Sequence, residues 1–131
     1  MRLLLDTHTF LWALSAPSKL PKNARTEIES RSNEVFVSAI SFWEIAIKTR
    51  IKKLKLGWDD DLIVATQNVG FVPIALTPEE AASYGELTES THGDPFDRML
   101  IWQAIQRNLT LVSGDPEFNK FKSDGLKLLW K

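Results

Sequence analysis

A chain of 131 residues with 44% hydrophobic content is long enough for one domain, residues 1–131, with a real core. Its formal charge of −1, from 16 basic and 17 acidic residues, argues against a surface that is basic throughout. The absence of cysteine excludes a disulfide framework, a thiolate metal site and a thiol nucleophile. Met1-Arg2-Leu3-Leu4-Leu5 is too short an apolar run for a signal peptide, and no stretch approaches the length of a membrane span. The expectation is a soluble, cytoplasmic protein.

Arg2 to Thr7 (RLLLDT) is an apolar run ending in an acid, the pattern of a strand buried in a parallel sheet. His8 to Leu14 reads as a short apolar helix closed by Ala16-Pro17-Ser18, and Pro21 to Ser30 as a second helix. Glu34 to Ala39 (EVFVSA) has the β-branched and aromatic content of a strand. Ser41 then opens a strong helix to Leu54, with Gly57 closing it. Trp58 to Val69 reads as another helix, ended by Gly70, and Phe71 to Ala75 as a strand. Thr77-Pro78-Glu79-Glu80 is a helix start with Thr77 as cap and Glu80 completing a capping box. After the loop Thr88 to Gly93, Asp94 caps and Pro95 begins a helix to Asn108 that is apolar almost all round and therefore buried. Leu109 to Ser113 is a strand, Gly114-Asp115-Pro116 a turn, and Leu126 to Trp130 a last strand. Strands alternating with helices predict an α/β domain, with a mainly parallel sheet and helices on both faces.

That topology sorts the acids. Asp6 ends the first strand and Asp115 follows the strand Leu109 to Ser113, so both belong at the carboxyl edge of the sheet. Crossover helices run antiparallel to their strands, which gathers helix N-termini at the same edge. Glu44 falls in the first turn of the helix opened by Ser41, and Asp97 in the first turn of the buried helix. Each acid has a bland reading: Glu44 completes a capping box, Asp115 starts an Asp-Pro turn, and Asp94 and Asp97 belong to a helix start. Four acids from four separated segments on one rim outweigh those readings, because open α/β sheets bind their ligands there.

Clustered carboxylates raise one another's pKa unless a cation sits among them. An all-oxygen site suits Mg²⁺ or Mn²⁺. His8 and His92 are the only histidines, and neither has a partner at zinc-ligand spacing, so zinc is disfavoured. A carboxylate-held metal beside helix N-termini predicts phosphodiester hydrolysis by metal-activated water. Setting aside Asp6, Glu44, Asp94, Asp97 and Asp115 leaves 16 basic against 12 acidic residues, a balance compatible with a nucleic-acid surface. Lys48 to Lys55 (KTRIKKLK), with five basic residues and no acid, reads equally as a solvated helix face or a phosphate-contacting patch. Trp12, Trp43 and Trp102 lie inside apolar helix patterns and read as core rather than as stacking platforms for bases.

Four blocks then resemble the PIN-domain family, most closely its VapC-type toxins: Asp6-Thr7-His8 with Leu11-Trp12, Val37 to Ile45 (VSAISFWEI), Asp94 to Leu100 (DPFDRML) and Leu111 to Asp115 (LVSGD). They occur in family order over nearly the whole chain. The resemblance implies a five-stranded parallel sheet and a Mg²⁺- or Mn²⁺-dependent endoribonuclease leaving 5′-phosphate and 3′-hydroxyl ends. Asp6, Glu44, Asp97 and Asp115 match its acidic quartet, with Asp94 as a fifth acid nearby. Thr7 and Ser113 match hydroxyl positions beside the quartet, and Lys48, Arg50, Lys52 and Lys53 become candidate RNA contacts. It also implies a cognate antitoxin protein as partner and a homodimer. Two departures stand out: Trp102 replaces a small residue, and Ser113-Gly114 replaces a threonine-led pair.

Rival readings are weaker. A phosphoacceptor receiver domain should show an adjacent acid pair early and a lysine after a late strand, and neither is present around Asp6 or Asp115. A non-catalytic binding module would not need all four acids. A housekeeping RNA-processing PIN nuclease would differ from a toxin in its genetic context, not in these residues.

Overall fold

The computed structural model describes residues 1–50 and 61–131. Its centre is β1 (Arg2–Leu5), which pairs in parallel with β2 (Glu34–Ser38) on one side and β4 (Thr110–Val112) on the other. The edges are β3 (Val72–Ile74), beside β2, and β5 (Lys127–Leu129), beside β4. All four pairings are parallel, giving the order β3-β2-β1-β4-β5. Leu3, Leu4 and Leu5 are fully buried because both faces of β1 are covered.

Alternation along the strands divides the core in two. Leu4, Phe36 and Leu111 face one layer, which includes Leu100, Ile101 and Ala104 of α6 (Pro95–Arg107). Leu3, Leu5, Val35, Val37 and Val112 face the other, with Phe10 of α1 (Thr7–Ser15) and Ala24 and Ile28 of α2 (Lys22–Glu29). The expected sheet with helices on both faces is therefore present. The remaining described helices are α3 (Ala39–Arg50), α4 (Leu62–Asn68) and α5 (Pro78–Ser83), the last opened by the expected Thr77–Glu80 capping box. No helix among the described residues is long and apolar enough to cross a membrane. The expected helix end at Leu54 to Gly57 and helix start at Trp58 lie outside the described residues, as do Lys52 and Lys53.

Three local expectations are corrected. The chain turns helical at Thr7, not His8, because the Asp6 side chain accepts the Thr9 backbone N–H at 2.8 Å and caps α1. The chain enters α3 straight from β2, at Ala39 rather than after Ser41, with the Ser38 hydroxyl taking the Ile40 N–H at 3.1 Å. Ser41 is thus no cap, and Glu44 lies in the second helical turn. Finally, the segment after Asp115 is not a simple turn but a 3₁₀ stretch, Pro116–Asp124, capped by Asp115. Its two buried anchors, Phe118 and Phe121, are three apart, the repeat of a helix with three residues per turn.

The connections place a topological switch beside β1. From β1 the chain moves outward to β2 and β3, then returns through α6 to β4 on the opposite side of β1. The loops leaving β1 and β4 therefore diverge and open a crevice at their carboxyl ends.

Candidate active site

Asp6 leaves β1 and Asp115 follows β4, so the two acids flank that crevice from either side of the switch. The crevice is a groove of about 530 Å³ whose lining includes Asp6, Thr7, Glu44, Lys48, Asp94, Asp97 and Asp115. All four acids of the predicted quartet, and the fifth, meet there.

The acids differ in environment. Asp6 is buried, and burial pushes its carboxyl above the usual carboxylate range although hydrogen bonds from Ser113 and Thr9 and the nearby His8 oppose the shift. Ser113 is buried between Asp6 and Asp115, and its hydroxyl also accepts the Asp115 N–H at 3.2 Å. Glu44 is only 4% exposed. Thr7 Oγ1 lies 2.7 Å from Glu44 Oε1 and 2.9 Å from Ser41 Oγ. With one proton to donate, Thr7 serves the carboxylate, the charged acceptor. Lys48, one helical turn on, pairs with the other Glu44 oxygen.

The Asp97 carboxyl is raised from 3.8 to about 6. Burial is the main cause, and the charges of Asp94 and Glu44 add to it, while a hydrogen bond with His92 opposes it. Asp94 is exposed and caps α6 by accepting the Asp97 N–H at 3.0 Å. Among the described residues, one ring nitrogen of His92 and one carboxylate oxygen each of Asp97 and Asp115 lie within 4.8 Å of one another. Unsatisfied negative charge in a half-buried, oxygen-rich groove is what a hard divalent cation would relieve.

A family profile described as PIN domain matches residues 3–123. The chain belongs to the PIN-domain family. It is 30% identical to Ribonuclease VapC22 of Mycobacterium tuberculosis, over 97% of each chain. Among solved structures it resembles VapBC2 of Rickettsia felis bound to a promoter DNA fragment, at TM-score 0.68 and 19% identity over the full length of both chains. It also resembles VapBC-1 of nontypeable Haemophilus influenzae, at TM-score 0.65 and 13% identity over 98% of this chain and 97% of that one. At these identities the structural matches speak to the PIN fold.

Of the predicted basic contacts, Lys48 lies inside the groove, paired with Glu44, whose hydrogen bond raises its pKa, with the charges of Asp94 and Asp97 adding to the shift. Arg50 is exposed. Trp43 is a correction. It is 61% exposed rather than core, with Phe96 edge-on at 5.1 Å, because α3 and α6 bury the neighbouring faces instead. Trp102 is buried as expected, and its indole N–H finds the Ser83 hydroxyl at 3.0 Å, which explains how a bulky residue fits there.

His92 was missed by zinc spacing, and no local pattern reveals it. It pairs with a residue five positions on, through the fold of the Thr88 to Gly93 loop.

Gly114 meets a different constraint. A Cβ there would lie 2.5 Å from the Trp130 ring, so Gly114→Ala is expected to displace Trp130 or the Asp115 turn at a cost of about 1–3 kcal/mol. Thermal denaturation checks this, and an unchanged melting temperature would show that the ring moves aside freely.

Proposed function

We propose that this PIN protein, acting as one domain over residues 1–131, is a metal-dependent endoribonuclease and the toxin of a type II toxin–antitoxin pair. The observation that carries the reading is the meeting of Asp6, Glu44, Asp97 and Asp115 in one groove at the topological switch. The likeness to a ribonuclease over nearly the whole chain supports the same reading. Its substrate would be RNA, its site of action the cytoplasm, its assembly a homodimer, and its inhibitor a cognate antitoxin protein.

The donor set fits Mg²⁺ or Mn²⁺, with Asp6, Glu44, Asp97 and Asp115 as ligands and Asp94 in support. Such a cation, when bound, supplies Lewis acidity to a phosphodiester and makes water a better nucleophile at neutral pH. The chain's own residues do the rest. Thr7 fixes one Glu44 oxygen and Ser113 braces Asp6, so two carboxylates are held before any ligand arrives. Lys48 offers a positive charge inside the groove, placed to meet a phosphate that brings negative charge past Glu44.

The test is cleavage of single-stranded RNA by the purified protein with Mn²⁺ or Mg²⁺. Asp6→Ala and Asp115→Ala are each expected to slow cleavage by at least about 10²–10³-fold, the scale of several kcal/mol of lost metal chemistry. EDTA should stop the parent and added Mn²⁺ restore it. Both variants cutting at the parental rate would overturn the assignment.

A further inference from the structure

The loop before α6 brings His92 back over the first turn of that helix, with Nε2 3.0 Å from Asp97 Oδ2. The ring is held on its other sides. Phe118 and Phe121 contact it edge-on, with centroids 5.6 and 6.0 Å away, and only 13% of the side chain is exposed. Arg98, one residue past Asp97, fixes the backbone of the same loop: Nη1 donates to the carbonyls of His92, at 3.1 Å, and Glu89. Its Nε donates to the Tyr84 hydroxyl at 2.6 Å, and its guanidinium lies over the Tyr84 and Phe121 rings. Arg98 is therefore committed to the loop and does not line the groove.

These contacts decide what His92 does. An ionised carboxylate only accepts hydrogen bonds, so Nε2 must carry the proton it shares with Asp97. A protonated nitrogen has no lone pair for a cation. We propose that His92 is a positioning residue, resting on the metal-site reading above: it holds Asp97 by Oδ2 and leaves Oδ1 to the cation, while Arg98 holds His92. Carboxylate ligands are oriented in this way by hydrogen bonds from outside the coordination sphere, and losing such a partner typically weakens metal binding 10–100-fold.

Two substitutions separate positioning from packing. His92→Phe keeps the aromatic contacts with Phe118 and Phe121 and removes the donor. His92→Gln keeps an N–H donor and gives up the aromatic contacts. The full-length protein is titrated with MnCl₂ alone and free Mn²⁺ is read by electron paramagnetic resonance, with melting curves alongside. His92→Phe should bind Mn²⁺ about 10–100-fold more weakly, and His92→Gln should come within a few-fold of the parent. The reverse order, or equal affinity in all three proteins, overturns the proposal while leaving the metal site intact. Electron spin-echo modulation showing imidazole nitrogen coupled to Mn²⁺ in the parent but not in His92→Phe also overturns it, by making His92 a ligand. No Mn²⁺ binding by the parent overturns the metal-site reading itself, and this proposal with it.

Discussion

Asp97→Asn should melt higher than its parent in the absence of metal and cut RNA at least about 10³-fold more slowly. The loss of activity follows from removing a charged ligand, where several kcal/mol of transition-state stabilisation are at stake. The gain in stability follows from what the carboxylate endures in the folded chain. Its pKa is about 6 there against 3.8 as a free side chain, because burial and the charges of Asp94 and Glu44 disfavour ionisation more than His92 favours it. Below pH 3.8 the group is protonated in both states and makes no difference. Between 3.8 and about 6 the unfolded chain ionises first, so stability falls as pH rises, and above 6 the whole penalty is present. Two units at about 1.4 kcal/mol each give a penalty on the order of 3 kcal/mol, or roughly 10 °C in melting temperature for a domain of this size. Asparagine removes it without changing side-chain volume. The measurement is thermal unfolding with EDTA at pH 8 and at pH 4: a clear gain at pH 8 and almost none at pH 4. Saturating Mn²⁺ should raise the parent's melting temperature more at pH 8 than at pH 5 and should do much less for Asp97→Asn. A variant no more stable than its parent at pH 8 would show that Asp97 is not under electrostatic strain.

That strain explains why the acids were legible in the sequence. An acid abutting Leu3-Leu4-Leu5 has to be semi-buried, and strand ends and helix starts converge at one edge in any parallel α/β sheet. Those two facts suffice to bring Asp6, Asp97 and Asp115 together. The features that stayed hidden depend on tertiary fit. Ser38 falls within the expected strand Glu34 to Ala39 and Ser41 looks like the helix cap, and only the direct passage from β2 into α3 shows that Ser38 takes the first helical N–H. The 3₁₀ stretch presents two phenylalanines three apart, too few for a periodicity to be recognised. Trp43 sits in a helix that is apolar on most sides, and composition does not say which side the neighbours leave uncovered. His92 has no spacing to mark it, because the loop that aims it is organised by Arg98 from the following helix.

Glu80→Ala is expected to lower stability by about 3 kcal/mol, the low end for breaking a buried ion pair, with no residue of the groove touched. Glu80 is 7% exposed and serves four donors. Its Oε1 accepts from the Thr77 N–H at 2.9 Å, Gln103 Nε2 at 3.1 Å and Arg107 Nη2 at 2.9 Å, and its Oε2 from Arg107 Nε at 2.7 Å. Alanine removes the capping box of α5 and half of a largely buried ion pair at one stroke. The partners fare differently. Arg107 keeps its bond to the Ala75 carbonyl and, being 27% exposed, regains some water, whereas Gln103 is fully buried and its Oε1 already lacks a partner among the described residues. The low end of the range follows from Arg107's access to solvent. Burial alone would raise the Glu80 carboxyl, yet the hydrogen bonds from Arg107, Thr77 and Gln103 outweigh it and hold the pKa at about 2, against 4.5 for a free side chain. A depressed acid stabilises fully above its unfolded pKa, so the contribution is complete above pH 4.5 and is lost as pH falls towards 2. The gap between parent and Glu80→Ala should therefore be constant from pH 7 to 5 and narrow below 4.5. Asp97 acts in the opposite sense over the neighbouring range, so in the metal-free parent the two contributions together peak near about pH 4. Urea unfolding of parent and both variants across pH 3 to 8 measures all three slopes. A Glu80→Ala deficit that stays unchanged down to pH 3 would mean that packing, and not the ion pair, holds α5 against α6.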